Sequence, residues 1–521
     1  MTEPLPAAPD DALPVAAPDG VPDPADALAD GEWHRLHPAT PFLRGGVAFL
    51  AILGVLVANF RDRLVELAVG FQEEDPVDLL IDRNLLLPVL GGAIAFVLIG
   101  IVGFYLSWRF HQFRVTDEVV EVRSGILFRT QRQARLDRIQ GINLQRPFLA
   151  RLVGAARLEI SVAGQDANVR LAYLGSAQAD VLRRDVLTLA SGAKRGGAPA
   201  VARVRSGLLE QRVDELLAPE LDPSEAPAES VVHIPPGRII GSLLLSETTV
   251  IFVLVLAVGI PWVAISGNWY AILGVFPALI GMGGVIVNRF TRTLRYSIAG
   301  TPNGVRVGYG LLSTSSQTIP PGRIHSVAIR QPLLWRPAGW WHITTNLASS
   351  GVPSASSGNV AATRLMPVGT QDDVARVLAL LLPDLHGEEG LLDTSLTGRG
   401  GDDGFVNAPP RARWLRPFSW RRTGFTLTSS ALVLRSGIVW RTVVLVPQAR
   451  LQSVALVQGP LRRRLRLAGV HAHTVAGPIA PRLEVADADV AVTLFADLAV
   501  AAVTSGAADT THRWNASGSA P

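Results

Sequence analysis

The chain has 521 residues, a formal net charge of +4 and a mean hydropathy of +0.29. This length is enough for several domains. The absence of cysteine excludes disulfides, thiolate zinc sites and cysteine nucleophiles.

Residues 1–32 consist largely of Ala, Pro and Asp, and no Lys or Arg precedes Arg35. Such a segment buries too little apolar surface to offset its ordering entropy, so we expect an acidic, disordered tail. It also lacks the basic start and apolar stretch of a signal peptide. Residues 506–521 are predicted to form a second disordered tail.

Four apolar blocks follow, and the second has 24 residues without a charge. A bilayer core needs about 20 such residues as a helix. The pattern therefore predicts four transmembrane helices in two hairpins, at 44–108 and 239–288. The first block is short, and a position in the membrane interface stays open for it. The blocks are 45–60, 85–108, 248–265 and 269–287.

Basic residues flank the blocks on one side, at Arg35 and Arg44, Arg109 and Arg114, and Arg289 and Arg292. Because cytoplasmic loops carry the excess of Lys and Arg, this bias predicts a multi-pass protein of the cell membrane. The segments outside the hairpins are then expected in the cytoplasm.

A sequence pattern recurs three times outside the apolar blocks. In each copy a glycine lies thirteen residues before an arginine, and a proline follows nine or ten residues after that arginine. A period this long predicts repeated domains. The defining residues, which we expect to be mainly structural, are Gly125, Arg138 and Pro147; Gly310, Arg323 and Pro332; and Gly437, Arg450 and Pro460.

Each copy alternates apolar and polar residues in short runs, which predicts about six or seven strands. A helical run preceded by Ser, Thr or Asp closes each unit. The expected domains are 109–192, 289–385 and 411–505, joined by linkers at 193–238 and 386–410.

The "SGI" turn, the Arg-Ile-Gln stretch, the following Pro and the position after an apolar hairpin resemble the bacterial PH-like domain (bPH2, DUF304) of the YdbS/YdbT membrane-protein family. The second copy departs most, with "YGL" as its turn and His325 in place of Gln. The resemblance implies an α+β membrane protein with three PH-like β-roll domains, each closed by a C-terminal helix. It also implies a role in membrane or envelope homeostasis.

All three expected domains are net basic, with thirteen Arg against three acids over 411–490. Basic domains at a cytoplasmic leaflet are attracted to anionic lipid. Two clusters in the third copy are candidate lipid- or partner-binding sites, with a solvated basic linker as the alternative for the first. They comprise Arg413, Arg416, Trp420, Arg421 and Arg422, and Arg462, Arg463 and Arg464.

Three further features of the sequence have more than one interpretation. Glu247, at the start of the third block, is either an intramembrane acid or, as we expect, an interfacial one. Trp335, Trp340 and Trp341 pack either in the core or on a neighbouring domain or the membrane. His471 and His473 share a strand face, but no third ligand is nearby, and we expect no metal.

The sequence contains no phosphate-binding loop, nucleophile elbow or HExxH motif, so we expect no enzyme activity and no cofactor. No recognition helix is visible, and nucleic-acid binding is not expected. Two functions stay open. The favoured one is a membrane scaffold whose cytoplasmic PH-like domains bind lipid, peptide or protein. Anionic membrane lipids are the expected partners, and a protein partner or homo-oligomer stays open. The alternative is a component of a membrane transport or export system.

Overall fold

The computed structural model describes residues 28–40, 42–43, 86–125, 129–162, 168–190, 232–267, 271–301, 304–320, 322–347, 364–385 and 390–509. The apolar block at 45–60, most of the 193–238 linker and nearly all of the two predicted tails lie outside the described residues.

The described part of the first copy has one short strand before a long helix, and six strands, one short helix and a closing helix after it. The described elements are β1 (His34–Arg35), α1 (Leu86–Arg109), β2 (Gln112–Val115), β3 (Val119–Ser124), β4 (Thr130–Arg135), β5 (Ile139–Arg146), α2 (Phe148–Leu152), β6 (Ala155–Val162), β7 (Val169–Gly175) and α3 (Ser176–Ala190).

The second copy repeats this order, with three helices between its short first strand and the rest of its sheet. The described elements are β8 (Val232–His233), α4 (Pro236–Leu244), α5 (Glu247–Ser266), α6 (Ala271–Thr293), β9 (Ser297–Thr301), β10 (Gly304–Tyr309), β11 (Thr314–Ile319), β12 (Ile324–Gln331), β13 (Trp341–Leu347), β14 (Arg364–Gly369) and α7 (Gln371–Leu381).

The third copy begins inside the segment 386–410 that the sequence suggested to be a linker. Its elements are α8 (Leu391–Thr397), β15 (Val406–Asn407), β16 (Gly424–Leu427), β17 (Ala431–Ser436), β18 (Arg441–Pro447), β19 (Ser453–Val457), α9 (Pro460–Arg464), β20 (Leu467–His473), β21 (Arg482–Asp487) and α10 (Ala488–Ala508).

The sheets run across the repeat boundaries. In each copy the first four strands and the last three strands belong to different sheets. The last three strands of copies 1 and 2 join the first four strands of the following copy. Antiparallel pairing of β5 with β11 joins copies 1 and 2, and pairing of β12 with β18 joins copies 2 and 3. The strand orders are β1-β2-β3-β4, β7-β6-β5-β11-β10-β9-β8, β14-β13-β12-β18-β17-β16-β15 and β19-β20-β21.

Strand β18 shows why the copies cannot be separated cleanly. Alternate side chains of a strand point to opposite faces of the sheet. Val443 and Leu445 belong to the core of copy 2, whereas Val444 and Val446 belong to the core of copy 3. A strand buried on both faces needs apolar residues at successive positions, which explains the uninterrupted "VVLV" of the sequence.

The prediction of four transmembrane helices in two hairpins is wrong. Among the described residues, one helix is long and apolar enough to cross a membrane, α10, and the bent pair of α4 and α5 makes a second only if it counts as one span. Hydropathy along the chain did not reveal the 51° bend between α4 and α5, where Ser246 caps α5. It also did not single out α10, which packs one face on β19 and β20 as the closing helix of copy 3.

Candidate functional site

The basic and aromatic segment before β16 lies at the surface of copy 3. It forms two 3-10 helices, Pro410–Trp414 and Trp420–Arg422. Trp414 and Phe418 are 74% and 80% exposed. The guanidinium of Arg413 lies 5.7 Å from the ring centroid of Trp414. The segment therefore presents large apolar rings to solvent beside cations.

Ion pairs and a small core attach this segment to β21 and to the end of α9. Arg411 pairs with Asp487, and Arg416 pairs with Glu484. Leu415, Trp420 and Leu465 pack against a cluster comprising Ala408, Ala412, Leu467 and Val485. The ring of Trp420 is thus an anchor, and the guanidinium of Arg421 lies 5.4 Å from its centroid.

The second basic cluster, on α9, adjoins the first. Burial, and then the charge of Arg462, lower the pKa of Arg416, so these two guanidiniums lie close enough to repel. Arg463 and Arg464 are exposed. The structure thereby brings together two segments about 40 residues apart in sequence. We call the exposed residues Arg413, Trp414, Phe418, Arg421 and Arg464 the basic–aromatic region.

Arg422 is not part of this surface. It is 3% exposed, and it donates hydrogen bonds to the carbonyl oxygens of Ser395 and Leu396, at 3.0 and 2.9 Å, and to that of Gly398. These oxygens end α8, where helix carbonyls lack intrahelical partners. Burial, and then repulsion by neighbouring arginines, lower the pKa of Arg422 to about 9.

The repeat glycines occupy a left-handed turn in every copy. Gly125, Gly310 and Gly437 have φ angles of 112°, 110° and 77°. A Cβ at Gly437 would lie 1.9 Å from the carbonyl oxygen of Trp440, which leaves room for glycine alone.

The turns at Gly310 and Gly437 carry exposed apolar residues. Leu312 of copy 2 and Trp440 of copy 3 are 51% and 55% exposed. The indole Nε1 of Trp440 donates a hydrogen bond to the carboxylate of Glu247 at the start of α5. The turn of copy 3 therefore lies beside the first turn of this apolar helix.

The repeat arginines lie at the turn between the two halves of each copy. Arg138 is exposed, Arg323 donates to the carbonyl oxygen of Asp137 at 3.1 Å, and Arg450 pairs with Asp509 at 2.8 Å. Arg323 thus links copy 2 to copy 1.

The repeat prolines mark the start of the short helix in each copy. Pro147 and Pro332 precede α2 and a 3-10 helix at Leu333–Trp335, whereas Pro460 is the first residue of α9, after Gly459. In copy 3, Gly459 therefore occupies the position before the helix that proline occupies in the other copies, and Pro460 lies one residue later.

The remaining candidates are the histidine pair and the three tryptophans. The rings of His471 and His473 lie 6.3 Å apart, and the described part of the chain holds no group of three His, Asp or Glu side chains placed to bind a metal ion. Trp335 and Trp341 are buried in the core of copy 2, and Trp340 packs against that core.

Sequence reasoning missed two arginines that connect the copies. Arg151 donates to the carbonyl oxygen of Leu311 at 3.1 Å, and Arg336 donates to that of Val439 at 2.9 Å. Each lies thirteen residues after the repeat arginine of its copy and contacts the glycine turn of the next copy. This common spacing is the signal that could have identified them.

Comparison with protein families agrees with the threefold organisation. The model of the bacterial PH domain matches residues 76–190, 242–382 and 405–500, which together exceed half of the chain. The narrower YdbS/YdbT assignment stays a prediction. Neither curated proteins nor solved structures gave a match. With three matches over three structurally equivalent copies, the chain belongs to the bacterial PH domain family.

Proposed function

We propose that this protein is a membrane-attached scaffold whose PH-like copies are held against an anionic lipid surface, with the basic–aromatic region as the docking site of copy 3. The observation that carries the proposal is the exposure of Trp414 and Phe418 beside Arg413 and Arg421. Aromatic rings favour the membrane interface, and each well-placed cation near anionic lipid contributes about 1 kcal/mol.

Exposed apolar residues elsewhere support membrane attachment. On α5, Leu254, Val258 and Ile265 are 63%, 65% and 87% exposed, and on α1 Ile99 is 71% exposed. Large apolar side chains exposed in this number are typical of a membrane or protein contact site. The contact between Trp440 and Glu247 connects the start of α5 to copy 3, the copy with the basic–aromatic region.

The scaffold role rests on the repeated architecture. Three PH-like copies share two continuous sheets, so a ligand or partner bound at one copy is held in a defined place relative to the other two. Lipid, peptide and protein are the ligand classes that we propose for these domains.

The cysteine-free sequence allows a direct test in the full chain. A Phe418→Cys variant carrying an environment-sensitive fluorophore is reconstituted in vesicles of phosphatidylcholine alone or with an equal amount of phosphatidylglycerol. We expect a blue shift that grows with phosphatidylglycerol, decreases with salt and weakens when Arg413 and Arg421 become Ala.

The matched control carries the same label at Asp117→Cys, an exposed position in copy 1. Its emission is expected to change little with lipid charge. If both labels respond alike, or if the label at 418 is insensitive to phosphatidylglycerol at low salt, docking through the basic–aromatic region is refuted.

A further inference from the structure

The two connections between copies use one register. Ile142 is four residues after Arg138 and pairs with Thr318, five residues before Arg323. Val327 is four residues after Arg323 and pairs with Leu445, five residues before Arg450. The full pairings, 142–146 with 314–318 and 327–331 with 441–445, keep the same offsets throughout. The two junctions are thus copies of one interface.

Copies 1 and 3 each display one half of this interface. By the same offsets, 454–458 in copy 3 corresponds to 142–146 and 327–331, and 129–133 in copy 1 corresponds to 314–318 and 441–445. Strand β19 lies at one edge of its three-stranded sheet, and β4 lies at one edge of its four-stranded sheet. In the part of the chain that the structure describes, neither strand has a sheet partner beyond its hairpin neighbour.

Residues of the edge strands β19 and β4 are more exposed than the equivalent residues of the strands that pair at the two junctions. Leu456 is 42% exposed, whereas the equivalent Leu144 and Ile329 are completely buried. Gln131 is exposed, whereas the equivalent Ser316 and Val443 are completely buried. The positions that pairing covers at both junctions are therefore exposed at Gln131 of copy 1 and Leu456 of copy 3.

A third element of the interface is also repeated. Arg151 and Arg336 each donate across a junction to a carbonyl oxygen of the next glycine turn. Arg463 is their equivalent, thirteen residues after Arg450, and it is exposed. Copy 3 therefore presents an edge strand and an arginine whose counterparts in copies 1 and 2 both hold the next copy.

We propose that this protein associates head to tail with a second copy of its own chain, through antiparallel pairing of β19 with β4. The pairing places 454–458 opposite 129–133, with Leu456 facing Gln131 and Arg463 near Gly125. Exposed edge strands are templates for strand addition, and main-chain hydrogen bonds supply much of the affinity.

A second copy is the fitting occupant because one chain carries both complementary halves. The interface is heterologous, so each added copy leaves one edge of each kind free, and the product is a linear array or a closed ring. The association does not require lipid docking, and it can be measured without a membrane.

Disulfide trapping tests the register. Chains with Leu456→Cys and chains with Gln131→Cys are mixed in an uncharged detergent under mild oxidation. Residues directly opposite in an antiparallel pair have Cβ atoms about 5 Å apart, close enough for a disulfide after small shifts. We expect a covalent dimer of twice the 55.5 kDa chain mass from the mixture and none from either chain by itself.

The register control replaces Gln131→Cys by Arg135→Cys, four residues further along the exposed strand. At about 3.4 Å per residue this thiol is too distant, and little dimer is expected. Equal trapping in both mixtures, or no dimer in the first, overturns the proposal. Trapping of a different protein from native membranes in place of a second copy overturns it too.

Sedimentation in the same detergent provides a readout without cysteines. An Arg463→Ala variant is expected to raise the dissociation constant about ten- to hundred-fold, the usual effect of losing a charged hydrogen bond. Arg482→Ala, which removes an exposed cation from the opposite edge strand of the same sheet, is expected to leave the constant unchanged. A wild-type chain that stays monomeric at high concentration contradicts the proposal.

Discussion

The guanidinium of Arg435 binds both carboxylate oxygens of Asp403, at 2.8 and 3.1 Å, and the Arg435 side chain has no exposed surface. Asn407 accepts a further hydrogen bond from Arg435, and the ring of Phe405 lies 4.1 Å from its guanidinium carbon. This cluster fixes the loop "GRGGDDGF", which the sequence suggested to be part of a linker, against copy 3.

Replacing Asp403 by Ala is expected to lower the free energy of unfolding by about 3 kcal/mol, because it leaves the buried charge of Arg435 without its counter-ion. Chemical denaturation of the full chain measures the change. Asp402→Ala removes an exposed neighbouring carboxylate and is expected to have little effect. Similar losses for both variants would contradict an ion-pair role.

Arg466 has a φ of 50°, in the left-handed region that glycine adopts without strain. The equivalent positions in copies 1 and 2 are Gly154 and Gly339, with φ of 67° and 65°. Arg466→Gly is therefore expected to raise the stability of the chain by about 1 kcal/mol. Thermal unfolding measures the gain, and Arg464→Gly, inside α9, is expected to be destabilising instead.

His342 is expected to make the folded chain less stable in acid. Burial is the main cause that lowers the pKa of His342 from 6.5 to about 3. The positive charges of Arg364, Arg330 and Arg289 lower it further. The folded state binds fewer protons than the unfolded state, so this contribution is complete above about pH 6.5 and decreases as the pH falls towards 3. Each pH unit in this window costs about 1 kcal/mol.

The measurement compares unfolding midpoints at neutral pH and at about pH 5. His342→Gln is expected to reduce the loss on acidification, whereas His233→Gln, at an exposed position, leaves it unchanged. An identical acid response in wild type and His342→Gln would refute the assignment.

Excision of a single repeat is expected to fail. The fragment 411–505 exposes the edge of β18 and the side chains of Val443 and Leu445, which belong to the core of copy 2. The fragment 324–508 keeps the whole seven-stranded sheet of β12 to β18. We expect cooperative unfolding of the longer fragment and self-association or loss of cooperativity in the shorter one, which size-exclusion and circular dichroism distinguish. Cooperative, monomeric unfolding of 411–505 would contradict this.

The sequence by itself determined the threefold repeat and its β-rich copies with closing helices, because turn residues and alternating patterns are local. Gly310 and Gly437 occupy turns in which a Cβ would clash with the backbone, so each turn requires glycine. Their equal spacing before Arg323 and Arg450 therefore identified equivalent positions in the two copies.

The tertiary structure alone decided which strands pair and which apolar helices meet the length of a membrane span. The uninterrupted apolar run of β18 does not reveal that its two faces serve different copies, since pairing across about 115 residues depends on burial in three dimensions. Likewise, Arg422 and Arg421 are adjacent in the sequence, yet one is buried against the end of α8 and the other is exposed. Local pattern specifies elements, whereas the burial of their faces specifies how copies join.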